Sequence, residues 1–207
     1  MSTHNAYLLV QYPVMETFYS IQGEGFYQGH AAFFIRLGGC DVGCVWCDVK
    51  ESWDAEAHPK RTVADILQEV RDSGTEIVIV TGGEPLLHDC TALCSVLRNA
   101  GFRLHIETSA SSALSGEWDW ICVSPKKFKA PLPAIMKEAH ELKVVCYHPS
   151  DVVWAEEQAQ QTGPNTLLYL QPEWSREKER LAEIVSFIGK NPRWLLSLQL
   201  HKYLGVR

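Results

Sequence analysis

The sequence predicts an α/β fold with a mostly parallel sheet, either open or curled into part of a barrel. Three observations predict it. Apolar, β-rich runs recur along the chain, and several are almost continuously apolar, as strands covered on both faces are. Helical patterns lie between many of them. Polar motifs follow the runs at what would be their carboxyl ends, where chemistry collects in such folds.

Taken in order, AAFFIRL (31–37) reads as a strand that runs into a cysteine-rich loop, and the polar segment 51–61 reads as a loop. Thr62 is a plausible helix N-cap, because Val63, Ile66, Leu67 and Val70 follow at helical spacing. EIVIV (76–80) is a strand ending in TGGEP (81–85), and a weaker helix covers 89–100. FRLHIE (102–107) ends in ETSA (107–110), and WICVS (120–124) runs into SPK (124–126). After LKVVCY (142–147) comes a helix at about 151–161, then TLLYLQ (166–171) ending in QPEW (171–174). Leu181, Ile184, Val185 and Ile188 repeat the helical spacing, and WLLSLQL (194–200) is a last strand ending in QLHKY (199–203). With no repeat, no low-complexity segment and no convincing internal boundary, residues 1–207 read as one domain.

A net charge of −6 does not indicate a nucleic-acid-binding surface and suits a small-molecule substrate or a protein partner. MSTHNAYLLVQYP lacks the features of a signal peptide, and no segment approaches the roughly 20 apolar residues of a membrane span. The expectation is a cytoplasmic protein with reduced thiols. Seven cysteines, an odd number unevenly spread, argue against a disulfide framework.

Three of them crowd into RLGGCDVGCVWCDVK (36–50), as Cys40, Cys44 and Cys47. Thiolates bind soft metals, and C-x3-C-x2-C can wrap three of them around one centre. A structural zinc ion would need a fourth protein ligand; His30 and His58 are candidates without zinc-finger spacing. A cubane iron–sulfur cluster held by three cysteines leaves one iron open to a substrate or cofactor. A small zinc-stabilised loop remains the plainer alternative. Cys90, Cys94, Cys122 and Cys146 read as ordinary semi-buried cysteines.

Cys40-x3-Cys44-x2-Cys47, followed by a strand ending in Gly82-Gly83-Glu84-Pro85, resembles the radical S-adenosylmethionine superfamily. The resemblance implies a partial TIM-like (β/α) barrel and a 4Fe-4S cluster on the three cysteines. Its open iron would chelate S-adenosylmethionine, and a glycine-rich strand end would approach that cofactor. The segment Met15–Gly25 (METFYSIQGEG), SPK, QPEW and the tail LQLHKYLGVR narrow the likeness to the 7-carboxy-7-deazaguanine synthase family, over nearly the whole chain. That implies a carbon–nitrogen lyase that contracts the ring of 6-carboxy-5,6,7,8-tetrahydropterin with loss of ammonia, after a 5′-deoxyadenosyl radical takes the C6 hydrogen. The implied substrate contacts are Ile21, Gln22, Gly23, Glu24, Arg36, Thr81 and His201. A pterin edge needs the donors and acceptors that Gln22 and Glu24 offer, and its carboxylate suits the Arg36 fork. The implied S-adenosylmethionine contacts are Trp46, Cys47, Asp48, Gly83, Glu84, Ser124, Pro125, Lys126, Gln171, Pro172, Glu173 and Trp174. The terminal carboxylate at Arg207 is close enough in sequence to His201 to reach the same pocket. No side chain is demanded as a general acid or base. A flavodoxin- or ferredoxin-type electron donor and a homodimer follow by analogy.

Two positions depart from the family pattern. Relatives place a hydroxyl residue, a magnesium ligand, where this chain has Val49, and a valine cannot ligate a hard cation. Either magnesium is absent and Arg36 or Lys50 compensates charge, or substrate, Asp48 and water hold it, or the activity differs. The second departure, in ETSA and Ser111, reads as a local turn change. A small glycyl-radical-activating enzyme shares the cysteine loop but needs neither IQGEG nor QLHKY.

Overall fold

The computed structural model describes residues 3–207. Its centre is a nine-stranded sheet in the order β3-β1-β2-β4-β5-β6-β7-β8-β9. The strands are β1 (Gln11–Ile21), β2 (Ala31–Leu37), β3 (Lys60–Thr62), β4 (Ile77–Gly82), β5 (Arg103–Thr108), β6 (Trp120–Val123), β7 (Glu141–Cys146), β8 (Leu167–Pro172) and β9 (Trp194–Leu196). From β2 to β9 every pairing is parallel; β1 runs antiparallel to β2 and β3. The helices are α1 (Thr3–Leu8), α2 (Val63–Ser73), α3 (Thr91–Asn99), α4 (Pro133–Glu138), α5 (Asp151–Ala159), α6 (Glu177–Lys190) and α7 (Leu200–Leu204). Among the described residues, no helix is long and apolar enough to cross a membrane.

Side chains alternate between the two faces of a strand, and the two faces do different jobs. Outward residues such as Ile35, Leu37, Val78, Val80 and Leu104 pack with Ile66, Val70, Leu93 and Leu97 of α2 and α3. Leu142, Val144, Leu168 and Leu170 do the same against α4, α5 and α6. The alternate set faces a cavity of ≈ 280 Å³: Arg36 of β2, Thr81 of β4, Glu107 of β5, Lys143 of β7 and Gln171 of β8 all line it. Residues from opposite parts of the sheet share one cavity because the sheet is curled, giving the partial barrel. Most of the apolar packing is therefore outside, under the helices, while the inner face combines the polar chemistry with a smaller apolar cluster of Ala32, Phe34, Ile77 and Ile79.

The expected strands and the four expected helices are present with ends shifted by a few residues. Helices α1 and α4 lie outside the expected set, and three further features differ. The N-terminal segment holds the longest strand, β1, which the apolar-run criterion passes over because Pro13, Glu16 and Ser20 interrupt it. Its register slips between Val14 and Glu16, a bulge that accommodates Met15. The segment 51–61, read as a loop, carries two short 3₁₀ turns and contributes to β3. WLLSLQL is a strand only to Leu196, and QLHKY lies largely on α7 rather than at a strand end. The Ser197 amide still donates to the Leu170 carbonyl of β8 (2.9 Å), but beyond it the chain turns away: the Leu200 amide donates to the Gly23 carbonyl (2.9 Å), and the Ser197 hydroxyl accepts from the Gly25 amide (3.0 Å).

Helix α2 starts as Thr62 predicts. The Thr62 hydroxyl accepts from the Asp65 amide (3.1 Å), the Asp65 carboxylate accepts from the Thr62 amide (3.3 Å), and Gly74 closes the helix at φ 70°. Thr62→Ala removes one half of this reciprocal cap and is expected to lower stability by about 1 kcal/mol. Chemical denaturation of the two proteins checks it; identical midpoints would mean that β3, not the cap, fixes the start of α2.

Candidate active site

The cysteine loop leaves β2 through Gly38 and Gly39. Gly39 has φ 104°, a conformation glycine tolerates and L side chains resist. Backbone bonds then fix the loop base. The Gly39 amide donates to Ser52 carbonyl (2.7 Å) and the Cys40 amide to Trp53 carbonyl (3.1 Å). From β4, the Gly83 amide donates to Leu37 carbonyl (3.1 Å) and the Glu84 amide to Gly39 carbonyl (2.8 Å). A Cβ on Gly83 would overlap the Gly39 carbonyl and the Cys40 side chain. The glycine pair thus lets the end of β4 lie directly against the cysteine loop. Cys40, Cys44 and Cys47 all line the cavity. Burial pushes the Cys40 and Cys44 thiols up, and ligation would replace those protons. Among the described residues, no three His, Cys, Asp or Glu side chains converge as around a single ion. A cubane asks for something else, one thiolate for each of three irons, and three soft donors on one cavity wall suit it.

Beside the cysteines, Ser124, Lys126, Gln171, Glu173, Trp174, Trp46 and Asp48 line the same cavity. Lys126 folds back to donate to the Ser124 carbonyl and hydroxyl (2.5 and 2.7 Å) and lies 5.8 Å over the Trp46 ring. Burial pushes its pKa down. Gln171 accepts from the Ser197 hydroxyl (2.7 Å). Three residues expected at the cofactor stand elsewhere. Pro125 lines a neighbouring cavity with Tyr147 and Trp154, and Pro172 is buried at the end of β8. Glu84 is 1 % exposed and spends both carboxylate oxygens on protein donors: Thr108 Oγ1 (2.6 Å) and the Leu86 amide (3.1 Å) on one, the Ser109 amide (2.8 Å) and hydroxyl (2.5 Å) on the other. It is a clip between the ends of β4 and β5. The next residue along that turn, Ala110, sits at φ 61°, a left-handed conformation that an L side chain adopts only with strain.

The opposite wall comes from β1, β2 and the segments that follow them. Gln22 donates to Glu107 Oε1 (2.8 Å), and its side-chain Oε1 accepts from the Glu24 amide (3.1 Å). Glu24 accepts from Lys143 and from Gln199 (2.9 Å). Burial disfavours its charge, but Lys143 outweighs burial and holds Glu24 at about 2. Gly23 is a glycine because a Cβ there would run into the His201 ring. His201 lines the cavity, and burial lowers its pKa. Arg36 lies beside Thr81 on the neighbouring strand. Its Nε donates to Glu16 Oε1 (2.8 Å), while Arg207 pairs with the other Glu16 oxygen (2.9 Å). Arg207 therefore reaches the cavity, helped by Ser20, whose hydroxyl donates to its carbonyl. Ile21 and Val49 line the cavity too, and Asp48 pairs with Lys202 (2.9 Å).

Sequence reading missed Lys143, Glu107, Gln199 and Phe18, which also line the site. For Lys143 a signal existed: it is the one ammonium inside the apolar run LKVVCY. Glu107 stood in the ETSA motif without an assigned partner.

The radical SAM superfamily model matches residues 34–122, from the strand before the cysteines through β6. A 7-carboxy-7-deazaguanine synthase of Synechocystis sp. is 50% identical over 200 residues, covering 97% of this chain and 96% of that protein. One from Flavobacterium psychrophilum is 50% identical over 194 residues, covering 94% and 92%. The crystal structure of QueE from Escherichia coli superposes with a TM-score of 0.85 at 29% identity, covering 97% of this chain and 100% of that one. With that similarity running the length of the chain, this protein belongs to the 7-carboxy-7-deazaguanine synthase family, within the radical S-adenosylmethionine superfamily.

Proposed function

We propose that this chain converts 6-carboxy-5,6,7,8-tetrahydropterin to 7-carboxy-7-deazaguanine and ammonia, as a carbon–nitrogen lyase. One observation carries the reading. A single cavity has the three cysteines on one wall, a carboxylate-and-amide edge at Gln22, Glu24 and Glu107, and an arginine at Arg36. A pterin with a carboxylate is rich in N–H donors at one end and anionic at the other, so it has one way to lie between these ends. Bound to Cys40, Cys44 and Cys47, a 4Fe-4S cluster with S-adenosylmethionine supplies the radical chemistry. The protein's residues orient the substrate and exclude water. Trp46, Cys47, Asp48, Gly83, Ser124, Lys126, Gln171, Glu173 and Trp174 are the proposed S-adenosylmethionine contacts. Ile21, Gln22, Gly23, Glu24, Arg36, Thr81 and His201 are the proposed substrate contacts. A flavodoxin- or ferredoxin-type donor and a homodimer belong to the same proposal. The test is an anaerobic assay with dithionite, S-adenosylmethionine and the carboxy-tetrahydropterin, followed by mass analysis of the product. Recovery of unchanged pterin alongside cleaved S-adenosylmethionine would defeat the substrate assignment.

Magnesium fits this site poorly. Val49 presents only hydrocarbon to the cavity, and the adjacent Asp48 is paired with Lys202. Lys50 stands over the Trp53 ring (5.8 Å) and is not part of the lining, so Arg36 is the better placed cation for the substrate carboxylate. Adding magnesium to chelator-treated holoenzyme is expected to change the rate by less than about twofold, and Val49→Thr to make the rate magnesium-responsive. A large stimulation of the unmodified enzyme would sink this reading.

A further inference from the structure

Lys143 sits mid-strand in β7 with its side chain 4% exposed, yet it lines the cavity. Titratable groups surround it. Glu24 comes from the segment after β1, Glu107 from β5 at 3.6 Å, Glu141 from its own strand, and the Cys122 thiol from β6. Lys126 also feels its charge, and His201 faces Glu24 from α7. Burial works against the ammonium, but the Glu24 and Glu107 carboxylates paired with it keep it protonated. A buried ion cluster is weak ground for stability alone, since apolar residues of similar volume often serve as well. The rest of LKVVCY shows that the strand tolerates apolar neighbours.

The bond pattern shows what the charge achieves. Lys143 takes one oxygen of Glu24 and Gln199 takes the other. On Glu107, Gln22 and Lys143 both approach Oε1. Among the described residues, no donor bonds to Glu107 Oε2, although Glu107 lines the cavity.

We infer that Lys143 is a positioning residue for the substrate: it pins Glu24 and one oxygen of Glu107, so that the other oxygen of Glu107 receives an N–H of the aminopyrimidine edge. The inference rests on the pterin reading above. It also gives the cavity a polarity. The Lys143 end carries more carboxylates than cations and repels the substrate carboxylate, which is left to Arg36.

The experiment compares reconstituted holoenzymes of the wild type, Lys143→Met, Lys143→Arg and the double variant Lys143→Met/Glu24→Gln. Lys143→Met is expected to raise KM about 10- to 100-fold, with a smaller fall in kcat. Cluster absorbance and cleavage of S-adenosylmethionine should persist, because that end of the cavity is untouched. The pH profile separates positioning from mere support of the fold. Glu24 stays ionised across the working range in the wild type. Without the ammonium, burial is opposed only by the Gln199 hydrogen bond and the more distant His201, so the Glu24 pKa rises and the protonated form gains as pH falls. In Lys143→Met, kcat/KM should therefore drop on the acid side, below an inflection between about pH 5 and 8, where the wild type is flat. Lys143→Arg should restore most of the flat profile, and the double variant should lose the inflection while keeping the raised KM. A wild-type KM and flat profile in Lys143→Met overturn the inference, as does a fall in kcat alone. Should Lys143→Met not fold, Lys143→Gln replaces it: a raised KM with an acid-side inflection supports positioning, and a wild-type KM with a flat profile overturns it. If the wild type itself does not turn over the pterin, the substrate reading has failed, which is a different result.

Discussion

Cys44→Ala is expected to lower turnover at least about 10³-fold and to leave the reconstituted protein without its brown colour. The wild type should carry about four irons per chain after anaerobic reconstitution. Three thiolates are the minimum set that holds a cubane while leaving one iron open, so no single cysteine is dispensable. Cys44 is the most buried of the three, and its loss removes one of the three thiols that line the cavity. The fold should survive. The loop base is held by backbone bonds from Gly39, Cys40, Gly83 and Glu84 to Ser52, Trp53, Leu37 and Gly39, none of which uses the Cys44 thiol. Thermal melts of the metal-free proteins should agree within about 1 kcal/mol of stability. Iron content, absorbance and product formation on the same preparations check the claim. A colourless wild type holding one zinc per chain would overturn the cluster reading, and retained turnover in Cys44→Ala would overturn the assignment of this ligand.

Much of this site is legible in the sequence, for two physical reasons. Soft-metal ligation needs thiols at fixed spacing, and Cys40, Cys44 and Cys47 keep that spacing in one local loop. Parallel strands need both faces covered, which makes runs such as EIVIV and TLLYLQ visible as nearly continuous apolar stretches. What stayed hidden depends on long-range register. Strand β1 is masked by Pro13, Glu16 and Ser20, and only pairing with β2 and β3 shows it as a strand. Glu84 has the residue type of a ligand contact, but its burial against Thr108 and Ser109 is decided by how β4 and β5 end side by side. QLHKY follows an apolar run and so reads as a strand end, whereas its bonds to Gly23 and Glu24 draw it across the cavity as α7. The pairing of Glu16 with both Arg36 and Arg207 joins residues from the two ends of the chain, which no local pattern encodes.

Arg36→Met is expected to reduce kcat/KM about 10²- to 10³-fold, mainly through KM. Arg36 is largely buried, with its side chain 19% exposed, and Glu16 binds only its Nε. Among the described residues, its two terminal nitrogens bond to nothing else, so the fork is free for a planar anion. Methionine keeps most of the volume and removes the donors; Glu16 keeps Arg207 as its counter-ion, so the variant leaves no unpaired carboxylate behind. Arg36→Lys should recover only part of the loss, because an ammonium offers a point charge where the guanidinium offers a fork. A decarboxylated pterin makes the assignment specific when used as a competitive ligand. In the wild type, removing the carboxylate should weaken binding by about the same factor as removing Arg36. In Arg36→Met, removing the carboxylate should weaken it little further, since the two groups are partners and their losses do not add. Equal penalties for the missing carboxylate in both enzymes would mean that Arg36 acts on the fold of β2 and that another cation, with Arg207 the nearest candidate, receives the substrate.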